Sequence, residues 1–469
     1  MTDRNLSTRL ATTAAVILWF VAVLMPLAVA TRGALAAGGD TSGLRISEAL
    51  LRSVLLAGAI GVMAVVLGWV PGRLLGTSNK RQDVLLFLLL MPLVLPRYVL
   101  HYAWTLLLSP TTRIGGYLAI RPELARFVGT GATVLVMMCW YWPLAALLLA
   151  QGWRSIDRSI WNSASLDTSG LRLFRHVTVP LLRRPILLAF AVCFVMSLAE
   201  FGTFHLAGVE TIGTELAVLY EMTGSAEAVA RAAWPSALVG FAVALALGGV
   251  TRSWTSSEMV ITSTASGQAY WRWSILAGLI VVSVVAPTFL LVYNMADATA
   301  IKQFITLHID GLGWSLAIAV VTCTFACLIA GGALSLAGNA SNSRSTKPAA
   351  RAAGAVSFVM QVSLFAAMFL PASVLAVSLL QMLAWPLVPA TLGQSWLIVS
   401  LGHAGRFAGV ALIVLLLARR SSDARLSEMA SLDGASNLQK FLYVDLPRMW
   451  PLIAGVSLLL IMLSITELS

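Results

Sequence analysis

Long apolar runs alternate with short polar segments along the whole chain. Runs long enough to cross a hydrocarbon core of ~30 Å fall at roughly 11–30, 51–71, 84–108, 130–151, 182–206, 232–250, 272–294, 312–337, 353–383, 393–418 and 449–466. The pattern predicts an all-α polytopic membrane protein with about eleven spans. Pro96 and Pro371 lie inside two of the runs. A proline removes a helical donor and clashes with the preceding turn, so both spans should be kinked or broken. Segments within 203–231 read as re-entrant or surface helices.

Composition agrees: 59% of residues are hydrophobic and 11% charged, where soluble domains are about a quarter charged. The net charge of +11 is a matter of placement and does not point to nucleic acid. With the N-terminus in the cytoplasm, most Lys and Arg fall in inside loops, among them Arg73, Lys80, Arg81, Arg154, Arg158, Arg172, Arg175, Arg344, Lys347, Arg351, Arg419, Arg420 and Arg425. That asymmetry sets the orientation. Arg4 and Arg9 before an apolar run to Ala30 resemble a signal peptide. Signal cores are shorter, about 7–15 residues, so a retained first helix is expected. Cys139, Cys193, Cys323 and Cys327 all fall within spans and read as small apolar helix residues.

A polar segment occurs twice. Ala164-Ser165-Leu166-Asp167 recurs 266 residues later as Ala430-Ser431-Leu432-Asp433. Leu171, Phe174, Val177 and Pro180 recur 267 residues later as Leu438, Phe441, Val444 and Pro447, and Glu200 recurs at the same offset as Glu467. The shift of one residue marks a deletion in the first copy. Residues 1–250 form one unit, 251–270 a Ser/Thr-rich cytoplasmic linker, and 271–469 a second unit. Six spans per unit give both the same orientation, a parallel repeat about an axis along the membrane normal. Fifty residues with a further span follow Glu200, whereas two follow Glu467. The second unit is therefore expected to lack its last helix, and the chain as given to be unable to transport.

The second copy carries Glu428-Met429-Ala430, Gly434 six residues after the Glu, and Val444-Asp445-Leu446-Pro447. This resembles the EAA loop of ABC-importer permeases. Gly405-Arg406-Phe407 through Ala418-Arg419-Arg420 is similar to the helix that precedes it in that family. In the first copy Asn162 replaces the Glu, and the turn glycine is lost within Asp167-Thr168-Ser169-Gly170, where Gly170 can take over the turn. Two fused halves, the segments Met91-Pro92-Leu93-Val94-Leu95-Pro96 and Phe369-Leu370-Pro371, and Ala199-Glu200-Phe201-Gly202 resemble the ferric-iron and thiamine branch. The resemblance implies a permease subunit in the cell inner membrane, docking two copies of an ABC ATPase and receiving substrate from an extracytoplasmic binding protein. The implied docking residues are Ala164, Asp167, Gly170, Phe174 and Pro180 in the first loop. In the second they are Glu428, Ala430, Asp433, Gly434, Phe441 and Pro447.

The residues themselves suit docking. Glycine accepts the left-handed turn that other residues resist, alanine permits close approach, and Asp433 can cap the turn. Neither Lys80, Lys302, Lys347 nor Lys440 stands in a P-loop context, so ATP hydrolysis belongs to a separate chain. No enzyme activity, cofactor or metal is expected. His101, His176, His205, His308 and His403 are scattered among loops and spans. Charge inside a membrane is costly and so usually functional. Arg97 with His101, Arg406 with His403, and the paired Glu200 and Glu467 are candidates to line the translocation path. They could also pair across the two-fold axis, or form ordinary interhelical salt bridges. A rival function is an ion-coupled secondary carrier using the two glutamates; a third reading is a nonfunctional truncated relative.

Overall fold

The computed structural model describes residues 2–35, 45–78, 82–156, 163–164, 166–252, 270–295, 299–342, 348–370, 372–383, 385, 391, 395–421, 429–430, 432–434, 439, 443 and 446–467. They are helical, with no strand among them. Lipid offers no partner to a backbone N–H or C=O, so each apolar run satisfies its own as a helix. The long apolar helices are α1 (Leu10–Arg32), α2 (Ile46–Thr77), α3 (Gln82–Val94), α4 (Arg97–Leu108), α5 (Pro122–Arg154) and α6 (Gly170–Leu198). They continue as α7 (Ala226–Arg252), α8 (Tyr270–Tyr293), α9 (Thr299–Asn342) and α10 (Pro348–Phe369). The last three are α11 (Ala372–Leu383), α12 (Trp396–Ser421) and α13 (Leu446–Ile465). Length and hydropathy alone qualify eight as spans among the described residues, or nine with α3 and α4 taken as one.

The expected break at Pro96 is present: α3 and α4 meet at 72°. Pro371 lies outside the described residues, between the end of α10 and the start of α11. Within 203–231 the chain forms two short helices, Gly202–Leu206 and Ile212–Thr223. Three π-helical turns, Phe20–Leu24, Phe174–Thr178 and Val281–Val285, each end two residues before a proline: Pro26, Pro180 and Pro287. The carbonyl four residues before a proline has lost its donor and must move clear of the ring. Each turn is centred on that carbonyl, and the widened backbone accommodates it.

The chain forms two compact units that cut it at other places than the repeat does. One comprises Gly43–Glu215 and Leu238–Thr306, the other Met1–Ser42, Leu216–Ala237 and Leu307–Glu467. The expected linker is almost wholly outside the described residues. In the first unit α8, which opens the second half of the sequence, packs on α2, α3 and α5. Trp142 Nε1 donates to Ser283 Oγ at 3.0 Å, inside the π-helical turn of α8. In the second unit α1 plays the equivalent part. Trp19 Nε1 donates to Ser363 Oγ of α10 at 2.7 Å. The Ala22 carbonyl, orphaned by Pro26, is met by Gly405 of α12, where a methyl group would collide with it.

The closest helix pair in the first unit is α2 against α5. Gly68, Gly72 and Gly76 recur every four residues and so share one face of α2. A Cβ at Gly68 would lie 2.8 Å from Ala146 N, one at Gly72 2.8 Å from Ala146 O, and one at Gly76 2.8 Å from Ala150 O. These neighbours are backbone and cannot swing aside. Small residues let helix backbones approach in lipid, where dispersion rather than the hydrophobic effect drives association. Gly72→Val should therefore lower stability by about 1–3 kcal/mol, the usual cost of overpacking. Gly58→Val, facing open space, should stay within about 0.5 kcal/mol; thermal melts of both variants in detergent make the comparison.

Candidate functional site

Each repeated loop is a short helical turn followed by a left-handed glycine, which in the first copy is also the first residue of α6. In the first copy the Thr168 amide bonds back to the Ala164 carbonyl at 3.0 Å, and Gly170 follows with φ +58°. In the second the Asp433 amide bonds back to Met429 at 3.0 Å, and Gly434 follows with φ +77°. Both glycines occupy the left-handed region that a side chain disfavours. The left-handed residue thus follows the last turn at two residues in one copy and one in the other.

Leu166 and Leu432, equivalent in the repeat, are 88% and 87% exposed. Met429 and Leu171 are exposed as well. Asp167, Asp433, Pro180 and Pro447 are exposed, while Ala164 and Ala430 are half-buried. Phe174 is tied down on one side: its ring meets Trp69 edge-on at 5.3 Å, and Trp69 meets Trp153 at 5.8 Å. Glu428 and Phe441 lie outside the described residues.

The intramembrane charges pair inside each unit, which settles their partners against pairing from one repeat to the other. In the first unit Arg97 Nη1 lies 2.5 Å from Glu200 Oε2, both side chains almost fully buried. The break at Pro96 makes this possible. Trp140 Nε1 donates to the freed Leu95 carbonyl at 3.1 Å, and the Arg97 guanidinium stacks 4.8 Å over the Trp140 ring. Tyr141 Oη stands 3.3 Å from Arg97 Nη1. The other carboxylate oxygen, Glu200 Oε1, accepts from Thr203 N at 3.1 Å and Thr203 Oγ1 at 2.8 Å. A buried pair survives desolvation when its remaining atoms are bonded in this way. His101 is buried one turn beyond Arg97.

In the second unit Arg406 Nη1 lies 2.8 Å from Glu467 Oε1, and Phe407 flanks the guanidinium at 5.8 Å. His403, three residues before Arg406, has a ring nitrogen 2.9 Å from Ser464 Oγ. Ser464 is the repeat equivalent of Ser197. The glutamates are equivalent but the arginines are not. Arg97 opens α4, whereas Arg406 lies on α12, the helix before the second loop. The same buried carboxylate is neutralised from two different directions.

Sequence reasoning missed the supporting residues. Trp140, Tyr141 and Thr203 hold the first pair, and Trp69 with Trp153 holds Phe174. The four-residue glycine spacing of α2 was the available signal, because it places α5 and its aromatic residues within reach.

Fold and site together define a multi-pass helical membrane protein with a buried ion pair in each unit and a duplicated polar loop. The chain is 27% identical over 197 residues to the probable ABC transporter permease protein y4oQ of Sinorhizobium fredii (strain NBRC 101917 / NGR234). The match covers 39% of this chain and spans 64% of that relative's length. No family model matches the sequence. The likeness supports the ABC permease family.

Removing one partner of a buried pair strands the other charge, at a cost of about 3–5 kcal/mol. Glu200→Ala should lower stability by that order. Arg97→Met/Glu200→Leu, which removes both charges, should recover most of it. A double-mutant cycle from melting curves in detergent measures the difference.

Proposed function

We propose that this chain is the membrane-spanning permease subunit of an ATP-binding-cassette importer, with no catalytic activity of its own. Its two loops, on the cytoplasmic side, each dock one copy of an ATPase, and an extracytoplasmic binding protein delivers the substrate. Ferric iron is the first candidate substrate, by the resemblance of the Leu-Pro segments and Ala199-Glu200-Phe201-Gly202, with thiamine or another small solute as the alternative. The observation that carries the reading is the duplicated loop itself. Each copy presents a highly exposed leucine at the same position, a few residues before a glycine held in the left-handed region. Exposed apolar side chains on an ordered polar loop suit burial against a partner. ATP-driven closure of the ATPases would move the loops as levers and alternate access to the path.

The rival reading, an ion-coupled carrier, assigns Glu200 and Glu467 to proton exchange. Both are engaged by arginine within 3 Å, an arrangement that serves equally to tie helices together. The buried pairs then brace each bundle, and the loops carry the coupling.

Two outcomes test the proposal. Gly434→Val forces a β-branched residue into a left-handed turn, at about 1–2 kcal/mol, and should reduce ATPase co-purification sharply. Gly170→Val should reduce it less, because the first loop lacks the Glu of the motif, and Thr168→Asp least of all. Retention of the ATPase by all three variants would remove the docking assignment. In proteoliposomes carrying the chain completed by its expected twelfth span, with ATPase and binding protein, uptake should need ATP and survive an uncoupler. Uptake driven by a pH gradient without any ATPase would favour the carrier.

A further inference from the structure

Arg73, Arg154 and Arg272 gather at one end of the first unit from three helices, α2, α5 and α8. The Arg73 guanidinium lies 5.0 Å from the Trp153 ring centroid, and Arg154 Nη2 donates to the Leu75 carbonyl at 3.4 Å. Arg272 stands 5.5 Å over the Trp271 ring and is close enough to Arg73 for their charges to repel. The Nε–H groups of Arg154 and Arg272 are buried with no acceptor among the described residues. No ion pair among the described residues includes either of them. Arg272 is also the third residue of α8, where the helix dipole is positive and a cation is disfavoured. Arg73 and Arg154 lie near the C-terminal ends of α2 and α5, where the dipole favours a cation, so Arg272 is the disfavoured charge, and an anion seated between it and Arg73 relieves their repulsion.

The surroundings identify the anion. Tyr270 and Trp271 are exposed beside Arg272, with Trp273 one residue further. Such aromatic residues sit at headgroup depth. Beyond them α8 is the least covered of the eight helices that qualify as spans, with 17% of its apolar stretch buried. Ile275, Val282 and Val285 are exposed along it. A cationic cleft at headgroup depth opens onto an apolar track running into the hydrocarbon.

We propose that this cluster binds an anionic phospholipid, its phosphate seated between Arg73 and Arg272 and its acyl chains lying along the outward face of α8. The proposal rests on the membrane-permease reading only for the leaflet, the inner one, where anionic lipid attracts basic residues. The lipid would hold α8 against α2 at the end where Trp153 and Trp69 support Phe174 of the first loop.

The test uses the full chain in neutral detergent, without ATPase, so its failure leaves the docking proposal untouched. Native mass spectrometry reads affinity for phosphatidylglycerol, phosphatidylcholine and inorganic phosphate. Phosphatidylglycerol should bind at least about tenfold more tightly than phosphatidylcholine. Arg272→Gln should weaken it about fivefold and Arg73→Gln/Arg272→Gln about thirtyfold, the loss expected for one and two basic contacts. Arg272→Lys, which keeps the charge, should stay within about twofold of the parent. Arg113→Gln, at an exposed position elsewhere in the unit, should leave affinity unchanged. If the double variant does not fold, Arg272→Gln on the peripheral helix decides alone. Equal affinity for the two lipids, inorganic phosphate binding as tightly as phosphatidylglycerol, or full affinity in Arg272→Gln would each overturn the assignment.

Discussion

The close backbone contact between α2 and α5 governs the first compact unit. With Gly68, Gly72 and Gly76 against Ala146 and Ala150, α5 sits deep enough for its aromatic residues to reach four ways. Trp140 satisfies the carbonyl freed by the Pro96 break, and Tyr141 meets Arg97. Trp142 anchors α8 through Ser283, and Trp153 meets the Arg73 guanidinium and, edge-on, Trp69. Break, ion pair, peripheral helix and loop support all depend on one interhelical distance. Larger residues at the three glycines would push every one of these groups outward together, because tightly packed interiors transmit strain.

The repeat is tighter in chemistry than in geometry. Both copies bury a glutamate at the same position and neutralise it with arginine. Both expose a leucine a few residues before a left-handed glycine, and both begin with a helix widened ahead of a proline. The arginine comes from a different helix in each copy, and the glycine stands two residues further along in the first. What recurs is a requirement, a neutralised carboxylate and a sharp turn, met each time by whichever residue lies within reach.

The spans, the break at Pro96 and the duplicated loop were legible in the sequence. Each is a local signal: an apolar run, a residue with no donor, a spacing. The pairing of Arg97 with Glu200 was not, since helical periodicity relates neighbours on one helix and says nothing of which helices meet. Hydropathy is equally silent on partners, because a lipid-facing and a protein-facing leucine score alike. For the same reason the placement of α8 among α2, α3 and α5 was hidden, although its Pro287 and aromatic start could be read. The glycine spacing on α2 was the one long-range signal written locally.

The partnership of α1 has a consequence for synthesis. Trp19 and Ser363 are separated by 344 residues. At roughly 5–20 residues per second, α1 waits on the order of 20–70 s in the bilayer before its partner has been made. During that time its indole N–H is without the Ser363 hydroxyl that it meets in the finished structure. Its long apolar run suits that residence. The helix is apolar enough to be held by lipid first and by protein afterwards, so this contact of the second unit forms only after α10 has been made.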